Sequence, residues 1–377
     1  MMSQQLPLFE DYVTPETEGI KYAGSKLKLL PHIIKLVNEV NPRTILDGFS
    51  GTTRVAQALA QLGYQIVAND TAVWSKVFGT CYLLNEKPRP YYQDLIDYLN
   101  SLPGRDGWFT EHYGGLPNDG VSKQSDGLKK PWQVHNTRKL DAIREEIERE
   151  ELGEVEQSVA LTSLILALDS VDNTMGHYVS YLKEWSARSY KTMVLEVPST
   201  FVSAGNHLVL NENVFDILDT VEVDLAYFDP PYGSNNEKMP PSRVRYAAYY
   251  HVWKTICLND RPELFGKAKR RSDTSDRIAA SIFEEYHRNE ETGKFIVVEA
   301  IKQLLRKVKA KFIILSYSSG GRATAQGLQQ AISQCGEIRK IVKVDYKRNV
   351  MAGMTWTNEW VRDAEESHKE FLFLIEK

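Results

Sequence analysis

A strand-turn-helix-strand unit near the N-terminus constrains this chain more than any other feature. Thr44-Ile45-Leu46-Asp47 is a short apolar run of strand type, and Gly48-Phe49-Ser50-Gly51 is a glycine-bearing turn. Residues 53–62 follow as a helix, and Gln65-Ile66-Val67-Ala68-Asn69-Asp70 as a second strand. Strands joined through a helix lie parallel, and strand twist makes the crossover right-handed. The expectation is an α/β protein with a doubly wound, mostly parallel sheet, whose ligands bind beyond the carboxyl ends of the strands.

The same punctuation recurs only after long interruptions. Strands are expected at 208–210, 223–228, 312–317, 338–346 and 371–375, with helices at 297–309 and 322–333. Ahead of the first strand, apolar residues at helical spacing predict a helix over 25–40 with Ser25 as its cap. The interruptions differ in character. Residues 71–205 are rich in aromatic residues and glycine; inside them, 136–156 alternate in charge and read as a solvated helix, and 158–168 as a buried one. Residues 233–293 form a second insertion. Residues 1–19 read as a mobile tail, with folding from Ile20 onward. The organisation expected is therefore a tail (1–19), a sheet domain (20–70 and 206–377), and insertions at 71–205 and 233–293.

Composition excludes several classes. No apolar run approaches the ~20 residues that cross a bilayer, and Met1-Met2-Ser3-Gln4-Gln5 has neither the basic flank nor the apolar stretch of a secretory leader, so a cytoplasmic protein with no membrane partner is expected. Cys81, Cys257 and Cys335 are widely separated, without metal-ligand spacing, and no metal site is expected. None follows a proline, which leaves covalent attack by a Pro-Cys nucleophile unsupported. The net charge of −4 argues against a chain that coats nucleic acid indiscriminately.

The glycine turn lets backbone approach a ligand at a helix N-terminus. Asp70 stands nineteen residues after Gly51, at the end of the next strand, where a carboxylate accepts both hydroxyls of a ribose. A nucleoside cofactor is implied, with nicotinamide dinucleotides still in competition. Gly48-Phe49-Ser50-Gly51-Thr52-Thr53 lacks a third glycine, which suits a cofactor without a pyrophosphate. Downstream, the apolar strand Val223-Asp224-Leu225-Ala226-Tyr227-Phe228 runs straight into Asp229-Pro230-Pro231-Tyr232. Two prolines fix φ and remove N–H donors, so this turn presents carbonyl oxygens beside a carboxylate.

With Lys21-Tyr22-Ala23-Gly24-Ser25-Lys26 ahead of the glycine turn and Asp229-Pro230-Pro231-Tyr232 after it, the sequence resembles the Dam-like (D12) class of N6-adenine DNA methyltransferases in motif order from about residue 20 to the C-terminus. The resemblance implies a Rossmann-like S-adenosylmethionine-dependent methyltransferase sheet with an inserted target-recognition region at 71–205. It implies S-adenosylmethionine as cofactor, held by Tyr22, Lys26, Asp47, Phe49, Ser50, Gly51, Thr52, Asp70, Asn213, Val214 and Asp229. Asn213 stands where relatives often have Asp, and Thr52 where they have glycine. Asp229, Pro230, Pro231 and Tyr232 become the catalytic set. The N6 lone pair is delocalised into the ring, and acceptors for both N–H bonds, the Asp229 carboxylate and the Pro230 carbonyl, draw it out toward the methyl group. Tyr232 offers a stacking face to a base flipped out of the duplex. Asp at the first motif position favours adenine in DNA, where N4-cytosine enzymes carry Ser and glutamine or ribosomal RNA relatives carry Asn. An RNA adenine-N6 methyltransferase and a catalytically silent nucleic-acid-binding module are the alternatives.

The substrate implied is double-stranded DNA. Arg243, Arg245, Lys267, Lys269, Arg270 and Arg271, interleaved with aromatics, together with Lys347 and Arg348, are the expected phosphate contacts. Within 71–205, residues 173–178 and 183–191 are the most contact-like. Gln5-Leu6-Pro7-Leu8-Phe9 resembles the peptide by which bacterial proteins dock on the replication sliding clamp, so Gln5, Leu6, Leu8 and Phe9 are candidate partner-binding residues. The setting implied is bacterial, phage or plasmid-borne.

Overall fold

The computed structural model describes residues 14–233, 245–275, 278–279, 281–318, 320–323, 325–345 and 369–377. Its centre is a seven-stranded sheet formed by β1 (Thr44–Asp47), β2 (Gln65–Asn69), β3 (Leu208–Leu210), β4 (Glu222–Phe228), β5 (Lys309–Ser318), β6 (Glu337–Asp345) and β7 (Lys369–Glu376). The order across the sheet is β6-β7-β5-β4-β1-β2-β3. β3, β2, β1, β4 and β5 are mutually parallel, and β7 runs antiparallel between β5 and β6. Chain direction across the sheet reverses between β1 and β4, so a crevice opens at their carboxyl ends. This is the mixed α/β, mostly parallel sheet that the βαβ unit predicts.

Side chains alternate across the sheet with a period of two, and each face is sealed by helices. Ile45, Leu225, Tyr227 and Ile314 pack with α1 (Leu30–Val40) and α2 (Arg54–Gln61). Leu46, Ala226, Phe228, Ile313 and Leu315 pack with α7 (Ile296–Lys307). The first helix begins at Leu30 and not at residue 25. Pro31 has no N–H to donate and is tolerated only in the first turn of a helix, so it fixes the start. Residues 22–29 are thereby left as successive turns, with Ser25 N–H donating to Tyr22 O and Leu29 N–H to Lys26 O.

Residues 14–19, expected as mobile tail, are pinned to the sheet domain. Arg54 donates to the carbonyls of Thr17 and Gly19, while the Glu18 carboxylate accepts from Tyr82 Oη–H and Ser199 N–H.

The first insertion and the second up to about residue 275 build one second body, while Phe283, later in the second insertion, packs on the sheet side. α3 (Val73–Leu83) packs on β2 and β3 as an ordinary crossover helix, and its other side carries Trp74, Phe78 and Tyr82 into a separate core. That core is completed by α4 (Val134–Arg149), α5 (Glu154–Ser170) and, from the later insertion, α6 (His251–Leu258). Trp253 of α6 is fully buried with its ring 4.7 Å from Tyr178 and 5.9 Å from Trp132.

The expected solvated helix over 136–156 is overturned. It spans two helices, and one side of the first is buried with charges that face backbone partners: Arg144 donates to the Ile256 and Cys257 carbonyls, and Asp141 accepts from the amides of Phe109 and Thr110. Arg138, Glu148 and Arg149 on its other side stay exposed. Residues 173–178 are likewise interior. Asn173, Thr174, His177 and Tyr178 are buried, because this loop anchors α5 to α6 and does not face outward.

Candidate active site

A cavity of about 760 Å³ lies at the carboxyl ends of β1, β2 and β4, and every residue assigned from sequence to the cofactor or the chemistry lines it. The turn after β1 is built by backbone conformation. Gly51 has φ +48, where a side chain is strained, and its N–H donates to Asp70 Oδ2 at 2.8 Å. A Cβ on Gly48 would lie 2.7 Å from the Phe228 ring, so only glycine lets the turn pack against the end of β4. Thr53, not Thr52, is the non-glycine in the left-handed region, at φ 59; Gln57 holds it through the Thr53 hydroxyl.

Two carboxyls at the cavity are poised for a ligand. Asp70 Oδ1 and Oδ2 accept the N–H groups of Ala72 and Gly51, with the Thr71 amide also acting on the carboxyl, which leaves acceptor capacity for a ligand. Burial raises its pKa against the pull of those amides. Asp47 is 1 % exposed, and neither of its oxygens has a well-formed hydrogen bond among the described residues. Burial first, then the charges of Asp229 and Asp70, push it up to about 8. A buried carboxyl that only the Phe49 and Ala56 amides favour in its ionised form, with no cation beside it among the described residues, fits a ligand that brings its own cationic donors, which S-adenosylmethionine has in its ammonium group. Farther along the wall Phe49, Phe215 and Phe283 form an aromatic slot, Phe215 stacked on Phe283 at 5.7 Å and Phe49 edge-on to it at 5.2 Å. Asn213 caps the short helix Val214–Ile217, its Oδ1 accepting from Phe215 N–H at 3.0 Å, and so presents Val214 and Phe215 to the cavity.

Tyr22 lies over Gly51, enclosed by Trp74, Tyr246 and Tyr250 at centroid distances of 5.7, 5.5 and 4.8 Å. The neighbouring Lys21 turns away from the cavity and pairs with Asp172 at 2.7 Å, tying the loop to the inserted body. Lys26 reaches the chemistry itself. Its Nζ is 2.8 Å from Asp229 Oδ2, 3.7 Å from Glu370 Oε1 and 5.0 Å from the centre of the Tyr232 ring. The Tyr232 hydroxyl contacts both Asp229 Oδ1 and Glu370 Oε1, and lies 3.1 Å from Ser316 Oγ. Burial holds Asp229 up at about 6; Lys26 pulls it down and Glu370 pushes it up.

Carboxylate, prolines and tyrosine thus stand at the switch point of a parallel sheet, in the same cavity as the buried Asp47 and the half-buried Asp70. The family model of D12 class N6 adenine-specific DNA methyltransferases matches residues 22–311. The chain belongs to this family. It is 28% identical over 355 residues to the modification methylase StsI of Streptococcus sanguinis, covering 87% of this chain and 48% of that protein. It is 25% identical over 381 residues to the type II methyltransferase M.FokI of Planomicrobium okeanokoites, covering 95% and 53%. It is 25% identical over 338 residues to M.NlaIII of Neisseria lactamica, covering 87% and 92%. The chain spans about half the length of StsI and M.FokI.

In this D12 chain the residues expected on DNA divide. Lys267 is exposed and Lys269 half-exposed. Arg271 is buried, 2.6 and 2.7 Å from the two Asp260 oxygens and 3.0 Å from Asp273, so it is a structural cation and not a phosphate contact. Burial would raise Asp273, but Arg271 and Lys254 bring it down to about 2. Arg270 lies over the Phe265 ring and donates to the Thr274 carbonyl, and Arg245 pairs with the buried Glu284 at 3.6 Å. Arg243, Lys347, Arg348 and the peptide residues Gln5, Leu6, Leu8 and Phe9 lie outside the described residues. Among the described residues no helix is long and apolar enough to cross a membrane.

Sequence reasoning missed Glu370, Ser316, Phe215 and Phe283. Phe215, two residues from Asn213, sat within reach of a motif. Glu370 carried no signal, because its place beside Asp229 comes from the antiparallel return of β7 next to β5.

Proposed function

We propose that this chain transfers a methyl group from S-adenosylmethionine to N6 of an adenine flipped out of double-stranded DNA. The observation that carries the reading is Asp229, at the end of β4, opening onto the same cavity as Asp47 and Asp70. Bound there, the cofactor supplies an electrophilic methyl carbon. Asp70 would hold its ribose hydroxyls, Asp47 its ammonium group, and the Phe49, Phe215 and Phe283 slot its adenine ring.

For the substrate, Asp229 and the Pro230 carbonyl accept the two N6–H bonds. This favours a tetrahedral-like nitrogen and stabilises the positive charge that develops as the N–C bond forms. The proton shed from nitrogen after transfer leaves on the side of these acceptors. Accepting requires an ionised Asp229, so the transfer rate should fall as pH drops through about 6. The inserted body, 71–205 with 245–275, stands beside the cavity and is the candidate for target recognition.

Sequencing modified bases in DNA from cells expressing the chain tests the reading and yields the recognition site. N6-methyladenine at a fixed sequence is expected. Asp229→Ala should lower methyl incorporation by roughly a thousandfold or more while leaving cofactor binding largely intact. Retained N6-methyladenine in that variant, or none with the wild type, overturns the reading.

A further inference from the structure

Two places that an incoming adenine has to use are taken by one side chain. The Lys26 ammonium, 2.8 Å from Asp229 Oδ2, occupies the acceptor oxygen that an N6–H bond requires. It also lies over the Tyr232 ring on which the base would stack. Both places have to be vacated when the base arrives. Lys26 is only about 10% exposed, and a buried ammonium that loses its carboxylate is strongly destabilised unless another one receives it.

A second carboxylate is in place. Glu370 Oε1 is 3.7 Å from Lys26 Nζ, so a shift of about 1 Å turns that contact into a hydrogen bond. Glu370 is itself buried and is steadied by Ser316 Oγ–H at 3.2 Å. The Tyr232 hydroxyl is shared in the same way. It touches one oxygen of each carboxylate but has a single proton, so it can donate to Asp229 or to Glu370 and not to both. Lys26 also donates to the Gly24 carbonyl at 3.2 Å and the Tyr232 hydroxyl also meets Ser316 Oγ, but the second carboxylate within reach of both side chains is the same one, Glu370.

We propose that Lys26 is a placeholder for the adenine amine, and that Glu370 is the positioning residue to which Lys26 and the Tyr232 hydroxyl turn as the base enters. The proposal rests on the methyl-transfer reading above. Glu370 touches neither substrate nor cofactor; it acts by clearing Asp229 and the face of Tyr232. Asp47, Tyr22, Tyr227 and Tyr246 also face Asp229, at longer range and through charge alone.

Glu370→Gln keeps the size and the neutral hydrogen bonds but cannot hold an ammonium. Single-turnover methyl transfer to unmodified duplex DNA, at saturating DNA and cofactor, is measured against pH in the wild type, Glu370→Gln, Lys26→Met and the double variant. Cofactor affinity is read separately by calorimetry. Glu370→Gln should bind the cofactor normally and transfer about tenfold more slowly, because adenine now competes with a Lys26 that has no second carboxylate to turn to and keeps only neutral acceptors such as the Gly24 carbonyl. Its acid limb should move down by about half a pH unit, since a negative neighbour of Asp229 has been removed. In the Lys26→Met background the same substitution should cost less than about twofold, there being no placeholder to receive. Equal losses in both backgrounds, an unmoved acid limb, or loss of cofactor binding by Glu370→Gln each overturn the proposal. A wild type that transfers no methyl group overturns the functional reading instead, so the two failures are told apart.

Discussion

The sheet and the inserted body solve opposite problems with similar residues. At the carboxyl ends of the strands, buried polar groups are left partly unsatisfied: Asp47 has no well-formed hydrogen bond among the described residues, and Asp229 shares its donors with Glu370. In the inserted body single buried polar atoms such as Arg144 Nη1 and Trp253 Nε1 also lack a partner, but the buried charges themselves are matched within the chain, as with Arg144 on two carbonyls, Asp141 on two amides and Arg271 on two carboxylates. A buried carboxyl with no cation beside it marks where a ligand can complete the structure; a buried charge already matched by the chain marks where the fold is complete. Aromatic residues divide along the same line. Trp132, Tyr178 and Trp253 fill a core, whereas Phe49, Phe215 and Phe283 border a cavity.

The largest expected effect falls on the inserted body. Trp253→Ala removes a fully buried ring and should cost about 3–5 kcal/mol of stability. Because α3 packs on the sheet and also carries Phe78 and Tyr82 into the inserted core, denaturant unfolding of the variant should remain a single transition shifted to lower midpoint. Two separated transitions would show that the body and the sheet fold independently, and the two cores would then have to be treated as separate proteins on one chain.

Asp47→Asn tests the unsatisfied side. Cofactor affinity, followed by calorimetry, should fall about tenfold, a charge-assisted contact being replaced by a neutral one. Without cofactor the variant should be the more stable protein. The sign follows from its raised pKa: the unfolded carboxyl ionises near pH 4, while the folded one resists ionisation up to about 8. Its contribution is therefore fully present below about pH 4 and is lost as pH rises through 8. Thermal melts of the cofactor-free wild type and Asp47→Asn should coincide at low pH and diverge as pH rises, with the divergence shrinking once cofactor is added. Parallel curves would mean that Asp47 is satisfied.

Motif order and strand periodicity carried the sheet and most of its site, because these depend on local rules. A short run of apolar residues, a turn needing glycine and a rigid Pro-Pro turn are each written in adjacent residues. Where sequence reasoning failed, the deciding contact was long-range. The charges of 136–156 looked solvated because α6, against which Arg144 packs, lies more than a hundred residues away. Glu370 reaches Asp229 only through the pairing of β7 with β5. The basic run 267–271 looked uniform, yet Asp260 and Asp273 select Arg271 for burial and leave Lys267 outside.

That last division yields the smallest expected effect. Lys267 and Lys269 remain accessible for phosphate contact, whereas Arg271 does not. Lys267→Gln with Lys269→Gln should leave stability nearly unchanged. In a potassium chloride titration of binding to a non-specific duplex, it should flatten the logarithmic salt slope by up to about two, near 0.9 for each phosphate no longer neutralised. Arg271→Gln should do the reverse, lowering the unfolding midpoint by stranding Asp260 and Asp273 while changing the salt slope little in protein that remains folded. If the lysine pair leaves the slope untouched, DNA does not run along this edge of the inserted body. The phosphate contacts would then have to be sought on another face, with the segment that contains Lys347 and Arg348 as the next to neutralise.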